Sequence, residues 1–135
     1  MTAPSPRGLL DTSVFIASES GRALDSAALP DESFVSVITR AELQAGVLAA
    51  KDSETRARRL ATLGSIAHLE LLTVDATAAS HWARLRVRLA EAGRKTNVND
   101  LWIASIALAN ELPVVTQDDD FAPLSELDAL AVVSV

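Results

Sequence analysis

Cysteine is absent from this chain of 135 residues, which excludes disulfides, thiolate metal sites and a cysteine nucleophile. Aromatic residues make up only 4%, so a core must be built mainly from Ala, Leu, Val and Ile, a composition suited to helices packed on a parallel sheet. No apolar stretch approaches the ~20 residues that a membrane-spanning helix requires. Met1 to Gly8 is small and polar, with two prolines and one arginine, and the apolar run behind it is broken at once by Asp11, which is not the pattern of a signal peptide. Also missing are a Gly-rich phosphate loop with its lysine and the Gly-x-Gly-x-x-Gly fingerprint, so nucleoside-triphosphate and dinucleotide binding lose support. These absences lead us to expect a soluble cytoplasmic protein without membrane partners, one domain over 1–135 with a short flexible tail at 1–7.

Acidic residues outnumber basic ones, 18 to 12, giving a net charge of −6 and an isoelectric point near 4.8. Taken alone, that balance argues against a nucleic-acid partner, because phosphate backbones attract lysine and arginine. The objection weakens if four carboxylates share one pocket with two divalent ions: these supply +4, and −6 + 4 leaves −2. Local fields then outweigh the total.

Along the chain, Gly8 to Ile16 reads as a short apolar strand ending in Asp-Thr-Ser, with Thr12 or Ser13 able to cap a following helix. A turn at Pro30-Asp31 precedes a second strand, Phe34 to Val37. The next helix repeats Ile38, Ala41, Ala45 and Leu48 at helical spacing, with Glu42 on the border of that stripe. Asp52 to His68 is an amphipathic helix with Ala57, Leu60, Leu63 and Ala67 inward, and Leu69 to Val74 a third strand.

Ala76 to Gly93 is a long helix with Trp82, Leu85 and Leu89 on one side, stopped at Gly93. The helix from Asp100 to Glu111, capped by Asn97 or Asn99, is apolar nearly all round and should be central. Pro113 to Thr116 is a buried-type strand followed by Asp118, Asp119 and Asp120, and Ala131 to Val135 supplies an edge strand. This alternation predicts an α/β fold, a mostly parallel sheet covered by helices on both faces.

Ligands of such sheets gather beyond the carboxyl ends of the strands. Asp11 and Asp118 are expected there, Asp100 at a helix N-terminus and Glu42 against an apolar face. Gathered together, such acids repel one another and resist desolvation unless a counter-charge is present. No lysine or arginine stands in the Asp11, Asp100 or Asp118 segments, and all-oxygen ligands favour Mg²⁺ or Mn²⁺ over zinc. The chemistry typical of such a site is hydrolysis of a phosphodiester.

Leu10-Asp11-Thr12-Ser13-Val14, Thr39 to Gly46, Asn99 to Ala104 and Val115 to Phe121 resemble, in order, the four motifs of VapC-type PIN domains, and the match spans the chain. The resemblance implies a five-stranded sheet of order 3-2-1-4-5 and endoribonuclease activity dependent on Mg²⁺ or Mn²⁺. It also implies a homodimer, and a toxin–antitoxin pair in which a VapB-type antitoxin neutralises the enzyme in a heterotetramer or larger assembly. By that analogy Asp11, Glu42, Asp100 and Asp118 are the catalytic and metal-binding acids. Asp120 matches a further acid near the last motif, and Asp119 leaves open which of the two faces the metal. Ser13 and Thr116 would orient carboxylates or water.

Simpler roles compete at each position: a helix cap at Asp11, a favourable dipole partner at Asp100, a partner of Arg40 or Thr39 at Glu42, a solvated turn at 118–120. His68 and His81 lack Ser or Asp partners at useful spacing and read as structural, and Trp82 and Trp102 as core or interface residues. Arg84, Arg86, Arg88, Arg94 and Lys95 form either a solvated helix face or a track for an RNA backbone. A phospho-acceptor receiver domain would need paired acids after the first strand and a lysine after the last, and a haloacid-dehalogenase-like phosphatase an aspartate where Ser13 stands. A catalytically inactive PIN-like module that binds RNA or protein is the remaining alternative.

Overall fold

The computed structural model describes residues 6–135. Five strands, β1 (Arg7–Leu10), β2 (Glu32–Ser36), β3 (Glu70–Leu72), β4 (Val114–Thr116) and β5 (Val132–Ser134), form one sheet in the order β3-β2-β1-β4-β5 with every pairing parallel. This is the expected order. The six helices are α1 (Thr12–Glu19), α2 (Val37–Ala49), α3 (Ser53–Ser65), α4 (Ala76–Glu91), α5 (Val98–Ala109) and α6 (Ala122–Glu126). The tail expected at 1–7 overlaps β1 at Arg7, and 1–5 lie outside the described residues.

Because side chains alternate along a strand, Leu9, Phe34 and Val114 enter one apolar layer, with Leu85, Leu89 and most of α5. Leu10, Val35 and Val115 enter the other, with Val14, Phe15, Leu43 and Ile66. α5 is the central helix anticipated from its composition: seven of its twelve residues are buried. At Gly8 β1 packs closely on β4 and on Pro30, and an added Cβ would come within 2.7 Å of Val115 Cγ2.

Several local expectations shift. The α1 cap is Asp11 itself, whose carboxylate accepts from the Ser13 amide, rather than Thr12 or Ser13. Val37 opens α2 instead of closing β2, and the buried stripe of α2 is Thr39, Leu43 and Val47, on the opposite side of the helix from the anticipated one: Ala41 and Ala45 are exposed and Leu48 is 77% exposed. No residue of α3 is fully buried, Ala57 and Ala67 are exposed, and Leu60 is 55% exposed. Leu63 packs against the core as expected, and the helix is further docked by polar reach, Arg59 Nη1 donating to the Gly46 carbonyl at 2.7 Å and Arg56 Nη2 to the Ala50 carbonyl at 3.0 Å. Asn97 caps α5, which begins at Val98 and so places Asp100 within its first turn. The five-residue α6 and the 3₁₀ turn Ser26–Ala28 are too short for periodicity to reveal. Among the described residues, no helix is long and apolar enough to cross a membrane.

Candidate active site

β1 and β4 are neighbours, so their carboxyl ends bring Asp11 and Thr116 together: the Asp11 amide donates to the Val115 carbonyl at 2.8 Å. Beyond these ends lies a cavity of about 290 Å³ whose wall includes Asp11, Thr12, Ser13, Arg22, Glu42, Asn97, Asp100, Asp118 and Asp120. The four acids picked out in the sequence, and the fifth candidate, Asp120, thus meet at one place. Asp119 is exposed and is not part of this wall.

Asp11 is 3% exposed. Its Oδ2 accepts from the Ser13 amide at 3.4 Å and from the Thr116 hydroxyl at 3.0 Å, and the same hydroxyl reaches Asp118 Oδ1 at 3.3 Å. Ser13 Oγ accepts from the Gln117 amide at 2.9 Å and lies 3.1 Å from Thr116 Oγ1. With the Thr116 proton directed at carboxylates, Ser13 is the donor of that contact. Ser13 and Thr116 therefore cross-link the two strand ends.

Glu42 reaches the cavity from α2. Its Oε1 accepts from the Thr12 hydroxyl at 2.7 Å, and Thr12 Oγ1 lies 2.9 Å from the buried Thr39 Oγ1. Thr12 has one proton and gives it to Glu42, so Thr39 donates in turn. Asp100, 7% exposed, is clasped by its own helix cap: its amide donates to Asn97 Oδ1 at 2.8 Å, and Asn97 Nδ2 donates to its Oδ2 at 2.6 Å.

Electrostatics set these acids apart from surface charge. Burial first, then the negative charges of Asp11 and Asp120, pushes Asp100 up to about 7, although its bond from Asn97 works the other way. Burial, aided by Asp118, also raises Asp11 against the pull of its Ser13 and Thr116 bonds, and burial with Asp118 beside it raises Asp120. Among the described residues, no three Asp, Glu, His or Cys side chains stand close enough to make a closed set of metal ligands. The five acids ring a cavity instead. Their all-oxygen donors and their shortage of positive charge nonetheless fit a hard divalent cation, which would stabilise the ionised form of each.

The wider set of candidates lies elsewhere. None of Arg84, Arg88, Arg94 and Lys95 lines the acid cavity. Arg88 donates to the Leu127 carbonyl, Arg94 pairs with Glu126 at 2.6 Å, and Arg94 and Lys95 share with Arg86 a separate cavity of about 380 Å³. His68 and His81 are outside the acid wall, and Trp82 stacks on Trp102 with ring centroids 5.0 Å apart. Sequence reading missed the bond of Thr12 to Glu42, the bond of Asn97 to the Asp100 carboxylate, and Arg22, and it named Thr39 beside Glu42 only as a capping partner. Asn97 and Thr12 had left a signal as helix caps, and Arg22 had left none.

A PIN domain family model matches residues 8–127. The chain is 54% identical to Ribonuclease VapC5 of Mycobacterium tuberculosis over the full length of both, and 37% identical to Ribonuclease VapC4 of the same organism over 93% of this chain and 97% of that one. Among solved structures it resembles VapBC-5 from Mycobacterium tuberculosis, a member of the VapBC toxin–antitoxin family, with a TM-score of 0.90 at 52% identity, covering 96% of this chain and 99% of that one. It also resembles a DNA-bound VapBC from Salmonella typhimurium, with a TM-score of 0.73 at 25% identity over 93% and 96% of the two chains. The chain belongs to the PIN-domain family, among the VapC ribonucleases.

Proposed function

We propose that this chain is an endoribonuclease dependent on Mg²⁺ or Mn²⁺, the toxin of a type II pair neutralised by a VapB-type antitoxin. The observation that carries the proposal is the convergence of Asp11, Glu42, Asp100 and Asp118, which come from four separate elements, on one cavity where burial and mutual repulsion raise Asp100 to about 7. A fold that tolerates that repulsion without a paired lysine is prepared for a cation from outside.

Asp11, Asp100 and Asp118 would hold the cation, with Asp120 at the rim. When bound, it supplies Lewis-acid polarisation of the phosphodiester and offsets the charge developing there. Thr116 keeps Asp11 and Asp118 at fixed separation, and Asn97 keeps Asp100 turned inward. Glu42 has one oxygen committed to Thr12, which leaves Oε2 to accept a proton from the attacking water. An in-line attack on phosphorus then breaks the bond to the leaving oxygen.

For the antitoxin, a groove of about 730 Å³ runs between α1, α2 and α3, lined by Ile16, Glu19, Leu43, Gly46, Arg58 and Arg59 among others. It shares Ile16 and Glu42 with the acid cavity, so a peptide segment laid along it would reach the acids. A homodimer, and a heterotetramer or larger with antitoxin, are part of the same proposal.

The test is incubation of the purified chain, free of any co-expressed partner, with structured RNAs in Mg²⁺ or Mn²⁺. Discrete fragments are expected with the native chain and none with EDTA or Asp11→Asn. A folded, metal-binding protein that cuts no RNA would return the reading to an inactive binding module.

A further inference from the structure

Among the described residues, Arg22 is the one lysine or arginine in the wall of the acid cavity. The end of α1 brings it there. Gly21 takes a φ of +73°, a conformation that costs glycine little, its amide donates to the Ser18 carbonyl at 3.2 Å, and the Arg22 amide closes back on the Ala17 carbonyl at 2.8 Å. The turn returns the chain toward the cavity rather than out along the helix axis.

Five carboxylates share that wall, yet among the described residues Arg22 forms no ion pair with any of them. A cation placed to neutralise the acids would sit on one; this one stands off, and the cavity lies between. That arrangement suits an anion held between two positive groups, the guanidinium and a cation that the acids would hold. A guanidinium fork matches the oxygens of a phosphate, stays protonated at any working pH and needs no rearrangement as charge builds on them. It also answers the objection raised by a net charge of −6: the positive charge an RNA meets is local to the cavity.

We propose that Arg22 grips a non-bridging oxygen of the scissile phosphodiester and is a catalytic residue of RNA cleavage. The inference rests on the ribonuclease reading above. The guanidinium forms no covalent bond and transfers no proton; it acts by charge and hydrogen bonding alone.

The alternative is that Arg22 only steadies the acids, and the two roles move metal affinity in opposite directions. Arg22→Gln and Arg22→Lys are compared with the native chain in three measurements: RNA cleavage, Mn²⁺ binding followed by electron paramagnetic resonance, and anisotropy of a labelled single-stranded RNA on an Asp11→Asn background. For Arg22→Gln we expect cleavage to fall about 10- to 100-fold, RNA binding to weaken with a shallower salt dependence, and Mn²⁺ to bind as tightly as before or a few-fold more tightly, since a like charge has gone. Arg22→Lys should recover part of the loss. Native-rate cleavage by Arg22→Gln, or a loss of Mn²⁺ affinity that accounts for its slower cleavage, would overturn the assignment. If the native chain cuts no RNA, the ribonuclease reading and the catalytic role of Arg22 both fail, and unchanged anisotropy would remove its grip on phosphate as well.

Discussion

On the face formed by α4 and α6, charge is partnered: Arg94 is paired with Glu126, Arg88 donates to the Leu127 carbonyl and Arg86 lies 5.3 Å over the Trp82 ring. In the acid cavity it is not. Asp11, Asp100, Asp118 and Asp120 line one cavity and, among the described residues, accept hydrogen bonds from hydroxyls and amides, and burial lifts Asp100 to about 7. The basic face lowers its own electrostatic energy within the chain, whereas the cavity holds repulsion that at neutral pH and above an added cation would relieve. Of two charged regions, the unpaired one is the better guide to function.

The contrast can be broken in several places. Asp118→Asn removes one of the opposed acids and should lower RNA cleavage by at least about 100-fold, measured as single-turnover rate, with no loss of fold. Thr12→Val leaves every acid in place but frees the Glu42 carboxylate; a fall of about 10- to 100-fold in activity is expected. Thr12→Ser, which keeps the hydroxyl, should stay close to native, and equal rates for Val and Ser would show that the hydrogen bond does not matter.

A smaller effect lies in the pH dependence of stability without metal. Asp100 keeps its proton up to about 7 when folded but only to near 3.8 when unfolded, so between those values the folded state binds more protons. Stability contributed by this group therefore falls as pH rises from about 4 through 7, and urea melts in EDTA should show a higher midpoint at pH 5.5 than at pH 8. Asp100→Asn should flatten that slope. Least sensitive is the basic face: Glu126→Gln breaks a solvent-facing pair and should cost no more than about 1 kcal/mol in urea melts, with cleavage unchanged.

The acids were legible in the sequence because each stood where a solvated charge is out of place: after an apolar strand, in an apolar helix, beside an apolar stripe. Strand order was legible through the family motifs. The supports of the acids were not. Thr39 sits fully buried on α2 with its hydroxyl satisfied by Thr12, and the helix buries the side of Thr39, Leu43 and Val47, opposite Ala41, Ala45 and Leu48. Apolar periodicity cannot register a buried threonine. α3 misled for a related reason, since Arg56 and Arg59 dock it by bonds to α2 carbonyls while Leu60 stays in solvent. Arg22 reaches the cavity only through a turn at the end of α1, which leaves no pattern in the residue types.

Thermal melts of native protein and Asp100→Asn at pH 8, with EDTA and with Mn²⁺, decide whether the acid cavity holds unpaired charge for a cation. Without metal, Asp100→Asn should melt at or above the native temperature, because a buried charge has been removed. With Mn²⁺, native protein should gain stability as a ligand that binds only the folded state provides, and the variant should gain little. A variant that melts well below native in EDTA, together with native protein indifferent to Mn²⁺, would make Asp100 a structural helix-cap partner and contradict the account.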